Sequence, residues 1–145
     1  MSEESREIPY SERAGWREYW LVDPLDGTKE FVNRNGEFTV NIALIRDHYP
    51  VLGVVHVPVQ GKTYVGCEGH GADLRAGEEP PRPIHVAQSS SHPVRVVGSR
   101  SHRGASIDAF IDKLGDCDLV PMGSSLKYCV VAEGGAGAVE IAGAA

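Results

Sequence analysis

An aromatic and aliphatic run, Tyr19-Trp20-Leu21-Val22, leads into Asp23-Pro24-Leu25-Asp26-Gly27 and then into Thr28-Lys29-Glu30-Phe31-Val32. This order constrains the chain more than any other stretch. The apolar run reads as a buried strand. Pro24 disfavours the α region at Asp23, which keeps the strand extended up to its first acid. The preset φ and missing N–H of Pro24 suit a tight turn. Gly27 permits a positive φ or a close backbone approach, and Thr28 to Val32 suit a short helix. A strand, turn and helix in this order bring the carboxylates of Asp23 and Asp26 and the Leu25 carbonyl into one small volume. These are hard oxygen donors of the kind Mg²⁺ takes. The N–H groups of Gly27 and Thr28 fall at a helix start, where phosphate oxygens bind, and the Thr28 hydroxyl is placed to orient an attacking water. A metal ion held there lowers the pKa of bound water and neutralises charge developing on a phosphate.

Asp-Pro and Asp-Gly are also ordinary turn pairs, so the two acids alone do not decide the matter; their flanks do. The stretch from Trp20 to Ile45, with Asn35-Gly36-Glu37-Phe38-Thr39-Val40-Asn41-Ile42-Ala43-Leu44-Ile45 at its end, resembles the inositol monophosphatase superfamily. Within it, Leu21 to Glu30 and Arg34 to Ile45 are most similar to the bacterial 3'(2'),5'-bisphosphate nucleotidases. Gly123-Ser124-Ser125-Leu126-Lys127-Tyr128-Cys129-Val130-Val131-Ala132-Glu133-Gly134 supports the same resemblance, which runs from about Ser2 to about Gly137.

The resemblance implies a layered αβαβα sandwich of the inositol monophosphatase and sugar phosphatase type. It implies Mg²⁺, two or more ions in the intact family, activating water to hydrolyse a phosphomonoester. The metal ligands it implies are Glu3, Asp23, Asp26 and the Leu25 carbonyl, with Thr28 beside the nucleophilic water. As sequence alone, Ser2-Glu3-Glu4-Ser5 is a charged terminus, so the role of Glu3 rests on the resemblance. Substrate contacts fall to Gly27 and Thr28, to Ser124 and Lys127, and to His102 in Ser99-Arg100-Ser101-His102. The plain reading of Ser124 and Lys127 is a helix N-cap and a solvated lysine; that of His102 is an exposed loop residue. His48, His56, His70, His85 and His92 show no metal-ligand spacing.

At 145 residues the chain is long enough for one domain with a core. A composition of 41% hydrophobic and 23% charged residues reads as globular. A net charge of −6 gives no reason to expect nucleic-acid binding, and leaves attraction of an anionic substrate to local metal charge. Cys67, Cys117 and Cys129 are scattered and odd in number, which suits reduced thiols in a cytoplasm. Peripheral attachment to the inner membrane is the alternative location. No apolar run reaches the ~18 residues of a membrane helix.

Along the chain, Met1 to Glu18 reads as a polar, loop-like and flexible segment. Phe38 to Ile45, Val51 to Val57 and Thr63 to Cys67 read as three strands with short links, hence an antiparallel meander. Glu68 to Pro83, rich in Gly, Pro and charge, reads as a surface loop holding at most one short strand. Val94 to Gly98 and Leu119 to Pro121 read as strands. Ser106 to Leu114 reads as a helix with Ile107, Phe110, Ile111 and Leu114 on one face. Leu126 to Glu133 reads as a helix capped by Ser124 or Ser125 and stopped at Gly134-Gly135. Strands with intervening helices indicate an α/β or α+β layered domain.

Against the family pattern, residues 1–145 form a single incomplete domain, truncated at both ends. Relatives carry roughly eighty residues before the Glu-Glu pair, and after the Lys127 helix a second layer with a further Asp ligand. Residues 138–145 diverge, and an arginine that relatives place near Ile141 is missing. A sheet face left without its helices exposes apolar side chains worth about 1.5–3 kcal/mol each, against a domain stability of roughly 5–15 kcal/mol. The expected partner is a small nucleotide bisphosphate, with self-association through exposed sheet faces as a further expectation. The expected activity is removal of the 3'-phosphate of 3'-phosphoadenosine 5'-phosphate. An inositol or sugar phosphate phosphatase and a non-catalytic remnant that binds metal or nucleotide are the alternatives.

Overall fold

The computed structural model describes residues 1–89, 92–99 and 105–139. Six strands make the larger sheet: β1 (Glu18–Asp26), β2 (Thr39–Arg46), β3 (Tyr49–Val57), β4 (Lys62–Cys67), β5 (Gly71–Ala76) and β6 (Arg82–Pro83). They follow one another in space in chain order, all antiparallel. The meander read from the sequence is therefore present and longer than expected. Glu68 to Pro83 is not a loop with one short strand, because β5 ladders onto β4 and β6 onto β5. Leu74 is the large apolar side chain of β5, and it is buried opposite Tyr64. Backbone pairing, with little apolar patterning to reveal it, builds that strand.

A helix α1 (Tyr10–Arg13) precedes β1, and α2 (Thr28–Val32) follows it. The second sheet holds β7 (Val94–Ser99), β8 (Cys117–Met122) and β9 (Ala138–Val139), parallel and in the order β8-β7-β9. Parallel neighbours need crossovers, and these are α3 (Ala105–Leu114) between β7 and β8 and α4 (Leu126–Ala132) between β8 and β9. Phe110 and Ile111 of α3 are half-buried, whereas Leu114 is exposed.

Register sorts the side chains of the large sheet. Asn41, Val55, Tyr64 and Leu74 stand opposite one another across β2 to β5. On that face Val57, Tyr64 and Leu74 pack with Ile84 and with Leu126 and Cys129 of α4 to form the core. Leu126 and Cys129 are one helical turn apart, so one face of α4 is buried. On the opposite face Val22, Ile42, Val54 and Val65 make a second row, each only half-buried.

Candidate active site

Asp23 and Asp26 are three positions apart, so a regular strand would point them to opposite faces. The structure prevents this with a bulge. Asp23 pairs with Asn41 and Asp26 with Thr39, so Pro24 and Leu25 together oppose Val40 alone. The extra residue restores the parity and puts both acids on the face that carries Asn41, Thr39 and the core. Pro24, with no N–H to offer the ladder, is suited to the bulge. β1 therefore does not stop at its first acid, as the sequence suggested, but runs through Pro24 to Asp26. Asp23 Oδ1 accepts the Leu25 N–H at 3.1 Å, which closes the bulge from within.

Gly27 then has φ +91° and is the residue from which α2 begins. A Cβ there would lie 3.0 Å from that of Ser124 and 3.4 Å from the Phe38 Cα, so both the conformation and the space demand glycine. Thr28 opens α2 with an exposed side chain. Phe31 and Phe38 pack edge to face at 5.1 Å and tie α2 to the approach to β2.

Glu3 reaches the site because the chain start is bonded to the edge of β1. The Met1 ammonium donates to the Trp20 carbonyl at 2.7 Å, Val22 N–H to the Met1 carbonyl at 2.8 Å, and Glu3 N–H to the Val22 carbonyl at 3.0 Å. Ser2 forms a parallel bridge with Val22. The Glu3 carboxyl lies beside that of Asp23. Its pKa is raised above the usual carboxylate value, first by the charge of Asp23 and a hydrogen bond shared with it, then by desolvation, Glu4 and Asp26.

Asp26, on the same face, is bonded to the start of α4. Its Oδ2 accepts the Ser125 N–H at 2.6 Å, Asn41 Nδ2 at 3.2 Å and lies 3.3 Å from the Thr39 hydroxyl. The Ser125 hydroxyl donates to Asn41 Oδ1 at 2.8 Å and lies 2.8 Å from that of Thr39, which is fully buried. One oxygen of Asp26 thus belongs to the fold.

The donor set fits Mg²⁺ in kind: carboxylates of Glu3, Asp23 and Asp26 and a carbonyl at Leu25 are hard oxygens, and the crowding of negative charge on Glu3 is what a cation relieves. Among the described residues no group of three or more acidic, histidine or cysteine side chains stands close enough to hold an ion alone. Mg²⁺ is commonly held by one or two carboxylates, with water and substrate oxygens completing its shell.

Two hollows flank the acids. One, of about 460 Å³, is lined by Glu3 and Asp23 together with Arg6, Arg13 and Leu21. The other, of about 310 Å³, is lined by Asp26, Gly27, Thr28, Lys29, Ser124 and Lys127, with Glu30, Ser99 and Gly123 completing its wall. The structure brings Gly27, Thr28, Ser124 and Lys127 to this second hollow; His102 lies outside the described residues. Ser125, not Ser124, is the residue before α4, and it makes no side-chain cap. Ser124 has φ +51°, donates its hydroxyl to the Glu37 carbonyl at 2.5 Å and accepts the Leu126 N–H at 3.2 Å. Lys127 Nζ donates to the Ser124 carbonyl at 2.9 Å and lies 5.2 Å from the Tyr128 ring centre.

The sequence marks none of Glu37, Thr39 and Asn41 as a site residue, and it marks Ser125 only as a candidate helix cap. Alternation along β2 places Thr39 and Asn41 on one face, but without the bulge nothing aligns that face with both acids.

The whole arrangement has known relatives. A model of the inositol monophosphatase family matches residues 1–143. The chain belongs to the inositol monophosphatase family. The 3'(2'),5'-bisphosphate nucleotidase CysQ of Escherichia coli K12 is 49% identical over 122 residues, covering 84% of this chain and 48% of the relative. CysQ of Haemophilus influenzae is 36% identical over 135 residues, covering 92% of this chain and 50% of the relative. In three dimensions, CysQ of Bacteroides thetaiotaomicron superposes with a TM-score of 0.83 at 42% identity over 94% of this chain and 56% of that one. An IMPase of Thermotoga maritima at 24% identity, with a TM-score of 0.76, shares the fold. This member of the inositol monophosphatase family spans about half the length of the curated relatives it matches.

Proposed function

We propose that this chain carries metal- and phosphate-binding elements of a Mg²⁺-dependent phosphomonoesterase acting on 3'(2'),5'-bisphosphate nucleotides, removing the 3'-phosphate of 3'-phosphoadenosine 5'-phosphate. The observation that carries the reading is the 49% identity over 122 residues to a bisphosphate nucleotidase, in a chain whose bulge sets Asp23 and Asp26 on one face. Glu3, Asp23, Asp26 and the Leu25 carbonyl would hold the metal, which when bound activates water and offsets charge on the phosphate. Thr28 faces the hollow where that water and the phosphate would meet. Lys29 and Lys127 line the same hollow and supply positive charge for an anionic substrate. A cytoplasmic setting, suited to the free thiols of Cys67, Cys117 and Cys129, is part of the proposal. Among the described residues no helix is long and apolar enough to cross a membrane.

Phosphate release from adenosine 3',5'-bisphosphate and from inositol monophosphate, measured side by side with Mg²⁺ and with chelator, tests the reading. Mg²⁺-dependent release that favours the nucleotide is expected. Equal rates, or preference for the inositol ester, would reject the substrate assignment.

A second reading, in which the chain binds metal and nucleotide but turns over poorly, is favoured by the division of the site between two hollows, Glu3 and Asp23 lining one and Asp26 and Thr28 the other. Calorimetry with Mg²⁺ and nucleotide, with sizing of the purified chain for self-association through the Val22–Ile42–Val54–Val65 face, separates the two. Turnover at rates typical of relatives would exclude the second.

A further inference from the structure

Glu37 stands outside both hollows, yet it holds the wall of one of them. Its Oε2 accepts the Gly123 N–H at 2.7 Å, and its carbonyl accepts the Ser124 hydroxyl at 2.5 Å. The same turn is gripped two residues later, where Ser125 N–H donates to Asp26 at 2.6 Å. Between these grips Ser124 is at φ +51°, an uncommon conformation for a residue with a side chain. Such a conformation persists where its surroundings over-determine it. Ser124 then passes the constraint on, accepting the Leu126 N–H on its hydroxyl and Lys127 Nζ on its carbonyl.

Gly123 is buried, and the fit around it is close: a Cβ there would collide with the Glu30 side chain. Truncating Glu37, itself half-buried, takes the carboxylate acceptor away from the Gly123 N–H, and a buried donor that loses its acceptor is costly. A carboxylate acceptor makes the existing bond one of the stronger kind. We infer that Glu37 is a positioning residue, which through the Gly123–Ser124 turn sets where the Lys127 ammonium stands in the hollow beside Asp26. Its consequence for turnover rests on the proposed nucleotidase reading; its geometric part does not.

The test uses the intact chain with Glu37→Ala, Glu37→Asp and Glu37→Gln. Glutamine keeps an oxygen for the Gly123 N–H; aspartate keeps the charge but falls a methylene short, and serves if alanine does not fold. By NMR, the Gly123 amide proton moves upfield and exchanges at least about tenfold faster in Glu37→Ala or Glu37→Asp, the Lys127 ammonium resonance shifts with it, and Glu37→Gln stays close to the parent. With adenosine 3',5'-bisphosphate and Mg²⁺, KM rises about tenfold with little change in kcat, and glutamine restores it. In a Lys127→Ala background the Glu37→Ala change adds nothing further to KM. Unchanged Gly123 and Lys127 signals, or additive effects in the double variant, would overturn the inference. A parent chain that neither binds nor hydrolyses the nucleotide would overturn the nucleotidase reading instead, and the NMR signals would still decide the role of Glu37.

Discussion

Ser125 N–H donates to Asp26 Oδ2 at 2.6 Å across 99 residues of sequence, joining the bulged end of β1 to the start of α4. Asn41 and Thr39 converge on the same oxygen, so Asp26 serves the fold with one oxygen and, in the proposed site, would meet the metal with the other. Asp26→Asn keeps an acceptor for Ser125 and removes the charge. It is expected to abolish Mg²⁺-dependent phosphate release while costing about 0.5–1.5 kcal/mol of stability. Asp26→Ala strands the Ser125 N–H and the Asn41 amide and should cost about 1–3 kcal/mol for each donor left buried and unpaired. Urea unfolding read beside phosphate release checks both; Asp26→Asn with full activity would remove Asp26 from the site.

Gly27 and Gly123 approach each other's elements for different reasons, and the two should respond differently to alanine. Gly27→Ala places a side chain at φ +91°, with about 1–2 kcal/mol of backbone cost, and pushes Ser124 away from the bulge. Gly123→Ala collides with Glu30, which is itself 6% exposed and has little room to yield; overpacking of this kind costs about 1–3 kcal/mol. Urea midpoints falling in both variants are expected, and an unchanged midpoint in Gly123→Ala would show that Glu30 moves freely.

Cys129 is buried on the core face of α4, and burial followed by the nearby Glu133 charge pushes its thiol up to about 12. An ordinary thiol ionises near pH 8.5. Above that value the unfolded chain loses this proton and the folded chain keeps it, so stability falls as pH rises, until the folded thiol also ionises. At pH 8 an aromatic disulfide reagent should label Cys67 and Cys117, both half-buried, and reach Cys129 only on unfolding. Cys129→Ala should flatten the alkaline limb of a stability-against-pH curve; an unaltered limb would contradict the assignment.

The core meander is legible because apolar runs broken by Asp47-His48 and Gly61 leave few ways to pair neighbouring strands, and the helix at Leu126 because Ser125 and Gly134 bracket it. The Asp23-to-Gly27 stretch is legible as chemistry but misread as geometry: a bulge is a property of two strands, and Asp23 and Asp26 show their common face only once Asn41 and Thr39 are set opposite them. β5 is legible only as one possible short strand in a loop, because its stability lies in ladder hydrogen bonds to β4, with Leu74 carrying the apolar burial. Glu37 is missed for a similar reason. Its partners, Gly123 and Ser124, lie 86 and 87 residues away, and nothing local in Asn35-Gly36-Glu37-Phe38 marks it as anything but a turn residue.

Among the described residues the Tyr64 hydroxyl is buried with no partner in hydrogen-bonding geometry, and burial first, then the charge and the nearness of the Glu133 carboxylate, raise its pKa. A buried polar atom left unpaired destabilises the folded state, whereas exchanging it for an apolar one of the same shape removes that cost. Tyr64→Phe is therefore expected to leave the urea midpoint unchanged or raise stability by up to about 1 kcal/mol, the reverse of the usual core substitution. The gain should survive in a Glu133→Gln background if it comes from desolvation of the hydroxyl, the first cause of its shift. A loss of more than about 1 kcal/mol in Tyr64→Phe would mean that the hydroxyl is bonded in solution, with Glu133 the candidate acceptor, and the double variant would then show the two effects to be non-additive.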